Sequence, residues 1–276
     1  MPSSNSAPQT GALLRSSPAE VNRRVIGALL IRELLTRYGR NNIGFLWLFV
    51  EPAAFILIVT FVWAFVKNIQ RTNIPIVAFA LTGYSSMLLW RYTAGRCIGA
   101  VKSNKALLYH RQVTIMDIFL ARILLELIAM SAAVFVLTIL FYSIGWLTLP
   151  EDVMEVIAGW ALLCWLSMGL AMTLGGLSEK ADFVKRVWHP FSYLLMVVSG
   201  VAFTVDALPT GLQHAALWVP MVNAVEMIRD GWFGSDFHAH FDIPFVVACN
   251  VALTLVGVSL VRQIGFDSES ESGGDE

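Results

Sequence analysis

Between residues 44 and 262 the chain is built of long apolar runs separated by short charged or turn-forming stretches. The runs near 44–66, 75–97, 117–142, 154–177, 187–204 and 243–262 are each long enough to cross about 30 Å of hydrocarbon as a helix. They predict an all-α integral membrane protein with six transmembrane helices. Two further segments suit neither lipid nor water. In 21–40, Val25, Ile26, Leu29, Leu30, Leu34 and Tyr38 recur with helical spacing, while Asn22, Arg23, Arg24, Arg32, Glu33, Thr36 and Arg37 lie mostly on the other side. A basic amphipathic helix of this kind lies in the headgroup plane. Docking a cytoplasmic partner is a second use, compatible with the first. The segment 205–235 is broken by Pro209, Gly211 and Pro220, yet is too apolar for a free loop. It predicts two re-entrant half-helices between spans five and six. Irregular backbone at that depth is tolerated only where protein shields it or where it lines a wet cavity, so the segment points towards a pore mouth.

Charge sets the orientation. Six arginines lie between Arg15 and Arg40, and Lys102, Lys105 and Arg111 follow the second run. Lys180, Lys185 and Arg186 follow the fourth, and Arg262 closes the sixth. The opposite loops hold Lys67, Arg71 and Arg229, together with the acidic Glu151 and Asp152. By the positive-inside rule both termini are cytoplasmic. Residues 1–20, rich in Ser, Pro and Ala, are neither a signal peptide nor a span and predict a disordered cytoplasmic tail. The acidic residues 265–276 predict a second one. Between them stand the amphipathic helix 21–40 and a six-span domain over 41–264.

Composition agrees. Hydrophobic residues make up 57% of the chain and charged ones 14%, against about 25% charged in a soluble domain. The net charge of -1 argues against a nucleic-acid partner held through phosphates. Cys97, Cys164 and Cys249 lie far apart, with no zinc or disulfide spacing. Gly39 and Gly44 have the glycine spacing of a phosphate loop, but Phe45 and Leu46 stand where Lys and Ser or Thr are needed. No nucleotide is therefore expected to bind this chain. No GxSxG elbow and no HExxH is present. His238 and His240, near Asp236 and Asp242, have a spacing that scattered loop histidines share, and no metal is assigned to them.

Charges inside the apolar runs narrow the possibilities. Arg91 and Arg96 lie near the inner end of the second run, where snorkelling accounts for them. Arg122 and Glu126, four apart on the third, predict an ion pair across one helical turn. Glu51 lies roughly 10 Å into the first span at helical rise. A charge at the centre of a span costs about 2.5–3.5 kcal/mol on insertion scales. Glu51 is therefore expected to face protein, a polar cavity or a partner such as Arg91 or Arg96. Pro52 beside it frees a carbonyl near Leu48 and kinks the helix, while Gly39 and Asn41-Asn42 make the bend into the membrane.

RYGRNNIGFLWLFVEP, residues 37–52, resembles the N-terminal signature of the permease subunits of type-2 ABC exporters. There a basic interface helix ends in Arg-Tyr, and a Gly-x-Leu-Trp start of the first span leads to a proline. Glu51 before Pro52 is similar to the branch that exports capsular polysaccharide in Gram-negative bacteria. SNKALLYHRQVTIMDIFLAR resembles that family's cytoplasmic loop between the second and third spans. WVPMVNAVEMIRDGWFG resembles the segment before its last span, with Pro220, Glu226, Arg229 and Gly231-Trp-Phe in order. Val219-Pro220 departs from the Asn-Pro frequent in the family. The likeness runs from about residue 20 to 264.

The resemblance implies a homodimer with a pathway between the two copies, and two copies of a separate ATPase subunit that binds ATP and Mg. It implies a lipid-linked polysaccharide substrate and a periplasmic polysaccharide-export partner, in the bacterial inner membrane. The loop 102–115 is then the contact for the ATPase. Lys105, Leu107, Leu108, Tyr109, His110 and Arg111 are its candidate residues, with Ser103 or Asn104 as a helix cap and the apolar ones inserting in a partner groove. An ordinary linker has the same composition. Pro220, Glu226 and Arg229 form the candidate external gate. Aromatic faces suit sugars, which makes Trp47, Phe55, Trp63, Tyr84, Trp90, Trp165 and Tyr193 pathway candidates beside Glu51. Lipid-interface belts use the same residue types. Arg37 and Arg40 suit a glycolipid phosphate and equally a lipid headgroup. Export of O-antigen, teichoic acid or another glycolipid polymer is the nearest alternative, followed by a small-molecule permease. A membrane-embedded enzyme would need convergent acid, base or nucleophile groups on one membrane side, where only scattered Asp, Glu and His stand.

Overall fold

In the computed structural model, residues 18–38, 42–67, 75–108 and 113–273 are described. They contain eleven α-helices and one 3-10 turn, Gly234–Asp236, with no strand among the described residues. In chain order these are α1 (Pro18–Tyr38), α2 (Asn42–Lys67), α3 (Ile76–Cys97), α4 (Ala100–Ser103) and α5 (Lys105–Leu108). They continue with α6 (Ile115–Ser143), α7 (Val153–Lys180), α8 (Asp182–Val198), α9 (Thr210–Leu217), α10 (Pro220–Phe233) and α11 (Ile243–Gly273).

Local chemistry sets several of the ends. α1 begins at Pro18, a residue pre-set for the first helical position, with Glu20 in its first turn where it favours the helix dipole. α6 opens with a capping box: Asp117 N–H donates to Thr114 Oγ1, and Thr114 N–H donates to the Asp117 carboxylate. Asp152 caps α7 by accepting from the amides of Met154 and Glu155.

Each of the six apolar runs is helical over most of its length. Three helices among the described residues are long and apolar enough to cross a membrane unaided: α6, α7 and Ile243–Gly265 of α11. α2 contributes a shorter apolar stretch, Val50–Val62, and continues unbroken through the buried Pro52. α8 departs from the expected 187–204. It starts at Asp182 and stops at Val198, because the chain turns at Gly200 with φ +78°. α11 runs on to Gly273 through the acidic segment expected to be disordered. The two half-helices of 205–235 are unequal. α10 is buried over nearly its whole length, whereas no residue of α9 is buried.

α7 is the central post, packed against α11, α3 and α10. Its approach to α11 is close because a Cβ on Gly169 would lie 2.9 Å from Leu253 Cβ, and one on Gly257 2.6 Å from Met172 Cβ. The core falls into three groups along the bundle. Trp90, Leu163 and Leu166 lie at mid-height. Ile56, Phe141 and Trp232 lie towards the end that holds α10. Cys97, Ile118 and Phe119 lie towards the end that holds α4 and α5.

Candidate functional site

Along one side of α3, Tyr84, Arg91 and Tyr92 recur at helical spacing and remain partly exposed. α2 and α8 supply the walls. Tyr92 Oη donates to Glu51 Oε1 at 2.8 Å. Phe55 packs on Tyr84 with ring centroids 5.8 Å apart. The Arg91 guanidinium lies 4.2 Å from the centroid of the Tyr193 ring, within cation–π range. Glu51, Phe55, Tyr84 and Tyr193 thus stand on one polar, aromatic strip with Arg91 and Tyr92. Of the surroundings expected for Glu51 (protein, a polar cavity, or a partner such as Arg91 or Arg96), the structure supplies a protein partner, Tyr92, and neither arginine. Arg96 is engaged by Glu126 at 3.3 Å and Arg91 by Tyr193. Trp90 points the other way: 1% exposed, it meets Trp188 edge-on in the core and lines no wall of this chain. Trp165 is likewise occupied, donating to Thr254 Oγ1 between α7 and α11. Arg40 and the side chains of Arg37 and Trp63 lie outside the described residues.

At the α10 end, Arg229 is 0% exposed. Its guanidinium donates to the carbonyls of Phe203 (2.7 Å) and Val201 (3.0 Å), stacks 4.1 Å over Phe79, and lies 3.9 Å from Glu226. Glu226 in turn accepts from the amides of Val205 (3.2 Å) and His240 (3.4 Å). Only glycine fits beneath, since a Cβ at Gly83 would lie 2.7 Å from the Val201 carbonyl oxygen. Pro220 takes the first position of α10, and Val219 before it is extended without a side-chain cap. Asn223 donates to the carbonyls of Leu217 (2.8 Å) and Val219 (3.1 Å), which ties the end of α9 to the first turn of α10.

At the other end the expected caps are engaged elsewhere. Asn104 Nδ2 donates to the Ala100 carbonyl and its Oδ1 accepts from Arg32 at 3.0 Å. Ser103 Oγ donates to the Gly99 carbonyl. The amides of Gly99 and Val101 donate to Ser178 Oγ (3.0 Å) and Glu179 Oε1 (3.3 Å) at the end of α7. Lys102 and Lys185 converge on Asp182 at 3.3 and 3.0 Å. Hydrogen bonds from Lys185, then Lys102, hold this solvent-exposed carboxyl below its usual range. Lys105 is exposed and Leu107 and Leu108 are half-buried, Leu108 against the Cys97 group. Tyr109, His110 and Arg111 lie outside the described residues.

The expected Arg122–Glu126 pair does not form. Arg122 turns to Glu33 of α1 at 3.3 Å, and Glu126 to Arg96 of α3. Neighbouring helices present closer partners than the next turn of the same helix. Helical spacing from Tyr84 would have found Tyr92. The partners of Arg122 carry no signal in linear spacing.

Residues 24–233 match the ABC-2 type transporter family. The chain belongs to that family. It is 39% identical over 251 residues to the capsule polysaccharide export inner-membrane protein CtrC of Neisseria meningitidis serogroup B, covering 91% of this chain and 95% of that protein. It is 37% identical, with the same coverage, to the capsule polysaccharide export inner-membrane protein BexB of Haemophilus influenzae. The polysialic acid transport protein KpsM of Escherichia coli is 24% identical over 243 residues, 88% of this chain and 94% of KpsM. For this ABC-2 chain, the exposed polar strip on apolar helices is the arrangement that needs a function.

Proposed function

We propose that this chain is the membrane-spanning subunit of an ATP-driven exporter that moves a lipid-linked capsular polysaccharide out of the cytoplasm. The observation that carries this reading is the near end-to-end similarity to capsule polysaccharide export proteins, at 39% and 37% identity. In this arrangement α2, α3, α6, α7, α8 and α11 are the six spans of a multi-pass inner-membrane protein, and both termini are cytoplasmic. α1 lies along the inner surface, and α9 and α10 re-enter from outside.

Two copies face each other across the strip of Glu51, Phe55, Tyr84, Arg91, Tyr92 and Tyr193. Tyrosine and phenylalanine faces slide along the apolar faces of sugar rings, and their hydroxyls serve the ring edges. Glu51 and Arg91 face one another's copy and the polymer, which removes the cost of holding them in lipid. Arg37 and Arg40 receive the phosphate of the glycolipid end. Pro220, Glu226 and Arg229 set the external gate. ATP and Mg are held by a separate cytoplasmic subunit, two copies per transporter, which docks on the segment 102–115. A periplasmic polysaccharide-export protein receives the polymer.

Copurification with the ATPase encoded alongside, followed by ATP hydrolysis with and without glycolipid polymer, tests this. The complex is expected to form and its hydrolysis to respond to the polymer. A chain that retains no ATPase overturns the proposal. Export of O-antigen, teichoic acid or another glycolipid polymer is the outcome if chemical analysis of polymer retained by a null strain identifies one of those instead.

A further inference from the structure

Arg122 joins parts of the chain that are distant in sequence. From its place on α6 it reaches Glu33 of α1 with Nε at 3.3 Å. Nη1 donates to the Arg96 carbonyl at the end of α3 (2.7 Å), and Nη2 donates to Ser103 Oγ of α4 (3.3 Å). Its side chain is 14% exposed and that of Glu33 15%, so water competes little for either. Two further links run beside it: Arg32 of α1 to Asn104, and Arg96 to Glu126 of α6. On its far side α4 is tied to α7 by Ser178 and Glu179 and to the start of α8 by Asp182. The α4–α5 segment is therefore held on several sides. Among the described residues two polar bridges, Arg122–Glu33 and Arg32–Asn104, connect the α4–α5 region to α1, which also packs on α6. The Arg122–Glu33 bridge is the one that also holds α3 and α6.

We propose that Arg122 is a positioning residue that makes α1, α4 and the inner ends of α3 and α6 move as one body. Displacement of the α4–α5 segment by the ATP-hydrolysing partner then carries α1 with it. A guanidinium suits this role because its planar fork hydrogen-bonds the Arg96 carbonyl and Ser103 Oγ in fixed directions. Its charge meanwhile holds the Glu33 carboxylate 3.3 Å from Nε, a contact without hydrogen-bond geometry. The proposal rests on the chain being the transport subunit of an ATP-driven exporter.

The test uses the full chain in complex with its ATP-hydrolysing partner. Amide hydrogen exchange of segments 99–108 and 26–36 is compared between the nucleotide-free complex and the complex trapped with ATP. In the native complex both segments change on trapping. In Arg122→Gln the change in 99–108 stays and the change in α1 is lost. Polymer exported per ATP hydrolysed falls about tenfold, an ordinary size for coupling between sites. Glu33→Gln keeps Arg122 and its bonds to Arg96 and Ser103, and loses the α1 response alone. It decides the matter if Arg122→Gln fails to assemble. An intact α1 response in either variant overturns the proposal. So does the absence of any 99–108 response in the native complex, or export and hydrolysis falling in proportion. The exchange readout does not depend on the polymer carried. A native complex that moves no glycolipid sinks the proposed function and leaves the exchange result to judge Arg122.

Discussion

Arg229 and Arg122 stand at opposite ends of the bundle, and both donate to backbone carbonyls of another element. Their acids differ. Arg229 lies over Glu226, three residues earlier on its own helix, and both are sealed from water. Arg122 takes its acid from α1 and is partly open. A pair within one helix moves with that helix, so the Arg229 group fastens the 201–205 elbow to α10 and holds it. A pair between helices relays movement from one to the other. The α10 end is built as a latch and the α4–α5 end as a linkage.

Breaking the latch has the largest expected effect. Arg229→Met leaves the Glu226 carboxylate buried without its cation and two carbonyls unpaired, a loss of about 3–5 kcal/mol. The thermal midpoint of the detergent-purified chain should fall sharply, or the variant should fail to accumulate in membranes. The double variant Glu226→Gln/Arg229→Met should be less damaging than Arg229→Met alone, since no charge is then stranded. Equal damage would mean that the acid contributes nothing.

Breaking the linkage should cost less stability. Arg122→Gln removes charged hydrogen bonds worth about 1.5–3 kcal/mol, and the same thermal measurement should rank it above Arg229→Met in stability. A reversed ranking would undo the contrast between the two ends.

Gly83→Ala sharpens the comparison from the α3 side. Its Cβ would meet the Val201 carbonyl oxygen and Arg229 Nη2 at 2.7 and 2.8 Å, and overpacking of this kind costs about 1–3 kcal/mol. The lowered midpoint should come with faster amide exchange at 201–205. Unchanged exchange there would separate Gly83 from the latch.

The smallest effect concerns Asp182, exposed between Lys102 and Lys185. Its carboxyl is held below the usual range, so its tie between α4 and α8 is present above the ordinary carboxylate pKa. The tie is lost as pH falls through the lowered value. Exchange at 99–103, taken relative to its intrinsic pH-dependent rate, should be indifferent between pH 7 and pH 5 and rise in stronger acid. In Asp182→Asn that acid-dependent rise should vanish.

Much of this architecture is legible in linear sequence because lipid demands it. Six apolar runs had to be helices, and the segment expected to lie along the membrane is helical from Pro18 to Tyr38, with Leu29 buried and Ile31 and Leu35 exposed. Glu51 had to find a polar neighbour, and does, although Tyr92 is the group that takes it. What spacing could not supply is rotation and partnership. Trp90 and Arg91 are adjacent, and a turn of 100° places one in the core and the other on the strip. Arg122 and Glu126 satisfy the rule for a helical ion pair, and neighbouring helices offer each a nearer partner. The depth of burial of Glu226 and Arg229 depends on the fold of 199–206 over α10, a tertiary event with no local periodicity.

The most direct measurement is the location of capsular polymer in a strain lacking this chain, by quantifying surface and intracellular polysaccharide before and after the native gene is restored. Polymer should accumulate inside, with its lipid terminus attached, and return to the surface on complementation. Normal surface polymer in the null strain would contradict the proposed export function.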